Sequence, residues 1–259
     1  MKMEIFLINL KRRPDRLAFM DSQLKDLGLP YTRINAIDGL GAAEIGYPEN
    51  HKRLSKGEYA CYLSHVKVWD AFLASGAPRC LLLEDDLTLA RSLPQILAHE
   101  PFFNHNGKLT RLECRIFRTR VAKVWRHRFL GRKLRKITAY DGGTGAIVLT
   151  RAYAQYLRAH HAAPKIPVDD LVLDPASTSY KPRAVYQLDP APAIQSMFLE
   201  GKPARTYGRS DLQRTRAKPA APPPPSSALR VFFSELSQLG KNVHTNLFHI
   251  SKTISFRDD

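Results

Sequence analysis

The first residues, MEIFLINL, are apolar at nearly every position, the pattern of a strand buried on both faces. KRRPDR follows, and Leu17, Met20, Leu24 and Leu27 then recur at spacings of three and four, which predicts a helix stopped by Gly28. YTRINAI reads as a short second strand, closed by the turn residues Asp38 and Gly39. The helical period returns from about Ser55 to Phe72, with Tyr59, Tyr62, Leu63, Val66, Trp69, Ala71 and Phe72 on its buried face and Gly76 and Pro78 ending it. CLLLEDDLTL is a hydrophobic strand that breaks off in three consecutive acids. Strands separated by helices of this length predict an α/β fold with a mostly parallel central sheet covered on both sides.

The stretch from Arg115 to Lys136 is dense in arginine, and the partial alternation at Ile116, Val121 and Val124 predicts edge strands in a hairpin. GGTGAIVLT is a glycine-rich turn entering an apolar strand, RAYAQYLRAHH is helical, and IPVDDLVLD sets three aspartates around apolar residues. From about Thr215 the character changes. RAKPAAPPPPSSA reads as a semi-rigid, polyproline-like linker. Beyond it Leu229, Phe232, Leu236, Leu239, Val243, Leu247, Ile250 and Ile254 recur at three and four, an amphipathic helical pattern with Arg230, Lys241, Lys252 and Arg257 on its polar side. The expected organisation is a catalytic domain over 1–214, a linker over 215–228 and a terminal helix over 229–259. That helix either lies on an anionic membrane surface or packs back onto the domain or a second subunit.

A chain of 259 residues with 44% hydrophobic content can bury a full core without disulfides or metals as staples. Its three cysteines, Cys61, Cys80 and Cys114, lack a C-x-x-C spacing, which argues against a disulfide framework or a zinc cluster. Cys61 and Cys80 read as small buried hydrophobes, a pattern that suits a reducing compartment such as the cytoplasm. IFLINL is too short for a signal-peptide core or a membrane span. The net charge of +16 favours an anionic partner without saying which.

Glu84, Asp85 and Asp86 are the strongest candidates for chemistry, because carboxylates beside a buried strand need a cation or donors to offset lost solvation. The carboxyl ends of strands are also where open α/β sheets bind ligands. Alternation along the strand aims Glu84 and Asp86 one way and Asp85 the other, and two oxygens aimed together suit Mg²⁺ or Mn²⁺. A solvated acidic loop is the plainer reading. Ser55 and Glu58 form a capping box, and His65 on that helix reads first as a structural hydrogen-bonder. Arg12, Arg13 and Arg16 are placed either to hold a diphosphate or to form an exposed basic turn. Asp169 and Asp170 are either a general base or helix caps.

The order of these segments carries more than any one of them. INLKRRPDR, INAIDG, LSKGEYACYLSHVKVW, LLLEDD, RLE, GGTGAIVLT and PVDD together resemble glycosyltransferase family 25, over about the first two hundred residues. The resemblance implies a GT-A type, Rossmann-like nucleotide-sugar fold and inverting transfer of a hexose, galactose foremost, from a UDP-sugar to a glycan or lipid-linked glycan such as lipopolysaccharide. It implies donor contacts at Asn9, Arg13, Arg16, Ala36, Asp38, Ser64, His65 and Asp85, and a metal motif at Glu84 and Asp86 for Mn²⁺ or Mg²⁺. It also places Asp169 and Glu113 on the acceptor side; Asp169 is the expected base, with Asp170 and Glu113 as rivals. The arginine block and the tail depart from the family's pattern. The two competing classes are a basic nucleic-acid-binding protein, which leaves the acids unexplained and is not expected, and a metal-dependent phosphohydrolase, for which no nucleophile or activated-water arrangement is found.

Overall fold

A computed structural model describes residues 3–40, 46–48, 53–114, 118–139, 142–174, 176–199 and 249–259. The first strand, β1 (Met3–Asn9), leads into α1 (Pro14–Asp26), which has proline in its first turn and ends where Gly28 takes a left-handed φ of 65°. β2 (Thr32–Asn35) follows, and then α2 (Lys56–Ala74), which starts on the predicted capping box: Glu58 N donates to Ser55 Oγ, and Ser55 N to the Glu58 carboxylate. The acid motif separates β3 (Arg79–Glu84) from β4 (Leu87–Leu89), and α3 (Leu93–Ala98) follows. Next come the short β5 (Leu109–Arg111) and β6 (Glu113–Cys114), and the hairpin of β7 (Arg118–Phe129) with β8 (Arg132–Ile137). β9 (Ala146–Thr150), α4 (Arg151–His160), α5 (Val168–Leu173), β10 (Val185–Asp189), β11 (Ala193–Gln195) and β12 (His249–Thr253) complete the described strands and α-helices.

Nine strands form one sheet in the order β12-β7-β8-β10-β5-β9-β3-β1-β2. Its two faces bury alternate residues of the same strands, as the doubly apolar pattern requires. Phe6, Ile8, Cys80 and Leu82 pack under α2, α4 and α5, whereas Ile5, Leu7, Leu81 and Leu83 pack against α1 and α3. The fold is α/β as expected, and the sheet is mixed. β1 runs parallel to β2 and β3, and β5 to β10, while β9 lies antiparallel between β3 and β5. That reversal places the start of β9 beside the end of β3, and Glu84 N donates to Gly145 O at 2.8 Å. The glycine-rich loop and the acid motif therefore lie side by side at one end of these central strands.

The tail departs from the expected helix. Residues 249–253 are a strand paired antiparallel to β7, Ile254 is buried, and Arg257 N donates to Ala191 O. Lys252 Nζ reaches the buried Asp189 carboxylate at 2.9 Å, and Arg257 ion-pairs with Asp259, so neither belongs to a free cationic face. The helical period failed here because Ile250 and Ile254 also suit a strand capping a sheet edge. The linker over 215–228 and the pattern over 229–248 lie outside the described residues, as do Arg115 and Ile116. Among the described residues no helix is long and apolar enough to cross a membrane.

Candidate active site

A cavity of about 200 Å³ opens where β1 and β3 end. Arg12 and Arg16, the 36–40 turn, one face of α2, and Glu84, Asp85 and Asp86 line it. The turn is held against α2 in two ways. Ser64 Oγ accepts from Ile37 N at 2.8 Å and donates to Ala60 O, which commits this buried side chain to the scaffold. Gly39 lies so close to the helix start that a Cβ there would stand 2.9 Å from both Gly57 Cα and Lys56 O. Ala36 extends the pairing by donating its N–H to Asn9 O, and Asp38 accepts from Arg12 Nε at 2.6 Å on the pocket rim.

The three acids take three different roles. Asp85 is spent internally: it accepts from Asn9 Nδ2 at 2.7 Å and Arg16 Nη1 at 2.9 Å, tying the acid motif to β1 and α1. Asn9 is itself buried, also donating to Arg13 O and accepting from Arg33, so it braces the site. Arg13 turns to Asp15 and does not line the cavity. Asp86 lies 3.8 Å from Arg16, and its Oδ1 is buried without a hydrogen-bond partner. Burial, then the charge of Glu84, pushes Asp86 up to about 7. Glu84 is pushed up to about 8 by burial and by the charges of Asp169 and Asp85. An excess of carboxylate with an unsatisfied buried oxygen is a donor set that fits a divalent cation.

Asp169 joins this group from α5. Its oxygens accept from Thr144 Oγ1 at 2.7 Å and Gly143 N at 3.1 Å, and Thr144 also reaches Glu84 at 3.5 Å. Gly142 and Gly143 adopt φ of 74° and 88°, which glycine alone takes without strain, and this turns the Gly143 amide toward Asp169. Arg111, fully buried, donates to Gly142 O and to Gln187 at 2.5 Å, holding the loop from beneath. Asp169 therefore caps this loop, and α5 has no side-chain cap. Asp170, one residue on, makes none of these contacts. Glu113 is buried against Gly145 and accepts from Ala146 N at 3.2 Å, which assigns it to the junction of β6 with β9 away from the cavity lining.

His65 is fully buried, with Nε2 3.8 Å from Glu84, and burial depresses it to about 4 against the opposing pull of Asp169. Thr144 does not stand out in the sequence, and Cys61 reads there only as a small buried hydrophobe. The double glycine was the signal for the first, and the four-residue spacing to His65 for the second.

Acids at the carboxyl ends of parallel strands, a basic rim and a glycine loop define a ligand-binding class of α/β protein. The chain belongs to glycosyltransferase family 25. The model of that family, described as glycosyltransferase family 25 (LPS biosynthesis protein), matches residues 2–172. Among curated relatives, it is 31% identical over 166 residues to the human inactive glycosyltransferase 25 family member 3, covering 58% of this chain and 26% of that protein. It is 36% identical over 97 residues to procollagen galactosyltransferase 1 of Danio rerio, covering 32% of this chain and 16% of that one. The chain thus spans about a quarter or less of the length of these relatives. Among solved structures it resembles A197 from STIV at a TM-score of 0.43 and 16% identity, over 73% of this chain and 84% of that one.

Proposed function

We propose that the chain is an inverting, metal-dependent hexosyltransferase that moves galactose from UDP to a glycan or lipid-linked glycan acceptor of the lipopolysaccharide type. The observation that carries this reading is the pairing of Glu84 and Asp86, with its unpartnered buried oxygen, in one cavity with Arg16 and the 36–40 turn. Family membership supports glycosyl transfer as the reaction class. The turn and Arg12 would take the nucleoside, Arg16 the diphosphate, and Glu84 and Asp86 a Mn²⁺ or Mg²⁺ ion. Such an ion supplies charge neutralisation to the departing diphosphate.

Asp169 is the base in this scheme. As the bond from the anomeric carbon to the diphosphate breaks and the bond to the acceptor oxygen forms, the acceptor hydroxyl passes its proton to the Asp169 carboxylate. Thr144 and Gly143 fix the direction of that carboxylate. The test is release of UDP from UDP-galactose with Mn²⁺ and a glycan acceptor. Acceptor-dependent release, lost in a chelator and lowered at least about a hundredfold in kcat by Asp169→Asn, is the expected result. Release without acceptor would assign the site to hydrolysis instead.

A further inference from the structure

Next to the carboxylates lies a group of a different chemical kind. Cys61 and His65 are four residues apart on α2, so both face the end of β3. The thiol sulfur, an imidazole nitrogen and a Glu84 oxygen all lie within 4.8 Å of one another. All three residues line the cavity. His65 is fully buried, and neither of its ring nitrogens has a hydrogen-bond partner. An imidazole normally orders itself by giving one N–H and accepting at the other nitrogen, so a buried ring with both positions unused calls for a ligand. Cys61 is not in a disulfide.

We propose that Cys61, His65 and Glu84 bind a borderline-soft divalent transition ion, zinc or cobalt in chemistry, with its open position facing the cavity. Three points support the assignment. Bond lengths of about 2.0 to 2.3 Å in a tetrahedral site put ligand atoms roughly 3.5 Å apart, against a present spacing of 3.8 Å between His65 Nε2 and Glu84 and of up to 4.8 Å within the group. Thiolate and imidazole select zinc-like ions over Mg²⁺ and Ca²⁺, which prefer oxygen. Three protein ligands with one side open is the pattern of a site that takes a further ligand. Thr144, whose hydroxyl donates to Asp169 at 2.7 Å, lies 3.5 Å from Glu84 and links the two carboxylates. The site shares Glu84 with the donor cation of the proposed function. It is read by direct binding without donor or acceptor, so its failure leaves the transfer reading standing.

The test is a Co²⁺ titration of the full chain, followed by absorption. The expected result is saturable binding with a thiolate-to-cobalt charge-transfer band, displaced by Zn²⁺ and not by Mg²⁺. Cys61→Ser removes the band, His65→Gln weakens binding at least about tenfold, and Asp86→Asn keeps the band. Far-UV dichroism verifies that each variant is folded, and the wild-type spectrum decides whether a thiolate ligates at all even where a variant is not. Cobalt binding without the band, a band that survives Cys61→Ser, or unchanged affinity in a folded His65→Gln would overturn the proposal.

Discussion

Single residues in this protein are set by what surrounds them more than by their type. His105 shows it away from the site. Its Nδ1 accepts from Gly107 N, its Nε2 lies 2.7 Å from Thr110 Oγ1, and the ring leans on Tyr186, so burial and the nearby Arg79 and Arg126 depress it to about 4. A histidine held neutral in the fold binds its proton more readily once unfolded. Its contribution is therefore present above about 6.5 and is lost as pH falls from there toward about 4. His105→Asn should lose less stability than wild type between pH 7 and pH 5, by on the order of 1 to 2 kcal/mol, read from denaturant unfolding at the two values. Equal losses would show that the ring is not held neutral. None of this was legible from a lone histidine in the sequence. The acid motif was legible, because three carboxylates after CLLL have few physical readings. The division of labour among Glu84, Asp85 and Asp86 was not, since it depends on Asn9 and Arg16 arriving from other elements.

At the scale of elements, apolar periodicity marked β1, α1, α2, β3, β9 and α4, because each buries a regular face. Strand direction was hidden, since an apolar run does not show which way it runs. It is the antiparallel β9 that brings the glycine loop to the acids. Gly39 is a comparable case: its role is the close approach of the turn to α2, which no local pattern records. Gly39→Ala puts a Cβ against backbone atoms that have no rotamer to yield. The turn should move off the helix, raising KM for the donor at least about tenfold while kcat at saturation changes far less. Steady-state kinetics give both numbers, and an unchanged KM would remove the turn from the donor site.

Across the whole molecule the +16 charge is distributed unevenly. Arg118, Arg120, Arg126 and Arg128 are exposed along β7, whereas Arg16, Arg111, Arg132 and Arg135 are buried and bonded inside. The docked residues 249–259 belong to that interior arrangement: Lys252 and Arg135 share Asp189, and Arg132 bonds Asp259. At the site the balance reverses and carboxylates prevail, so the proposed function requires a cation beside the anionic donor. That is the central claim, and calorimetric titration of UDP into wild type and Asp86→Asn, with Mn²⁺ and with chelator, tests it most directly. The substitution keeps shape and removes a charge whose ionisation costs stability as pH rises from about 4 through about 7, so the fold should hold. Wild type should bind UDP at least about tenfold more tightly with Mn²⁺ than without, and Asp86→Asn should lose that gain. Equal affinity with and without the ion, or a gain that survives in Asp86→Asn, would contradict the account.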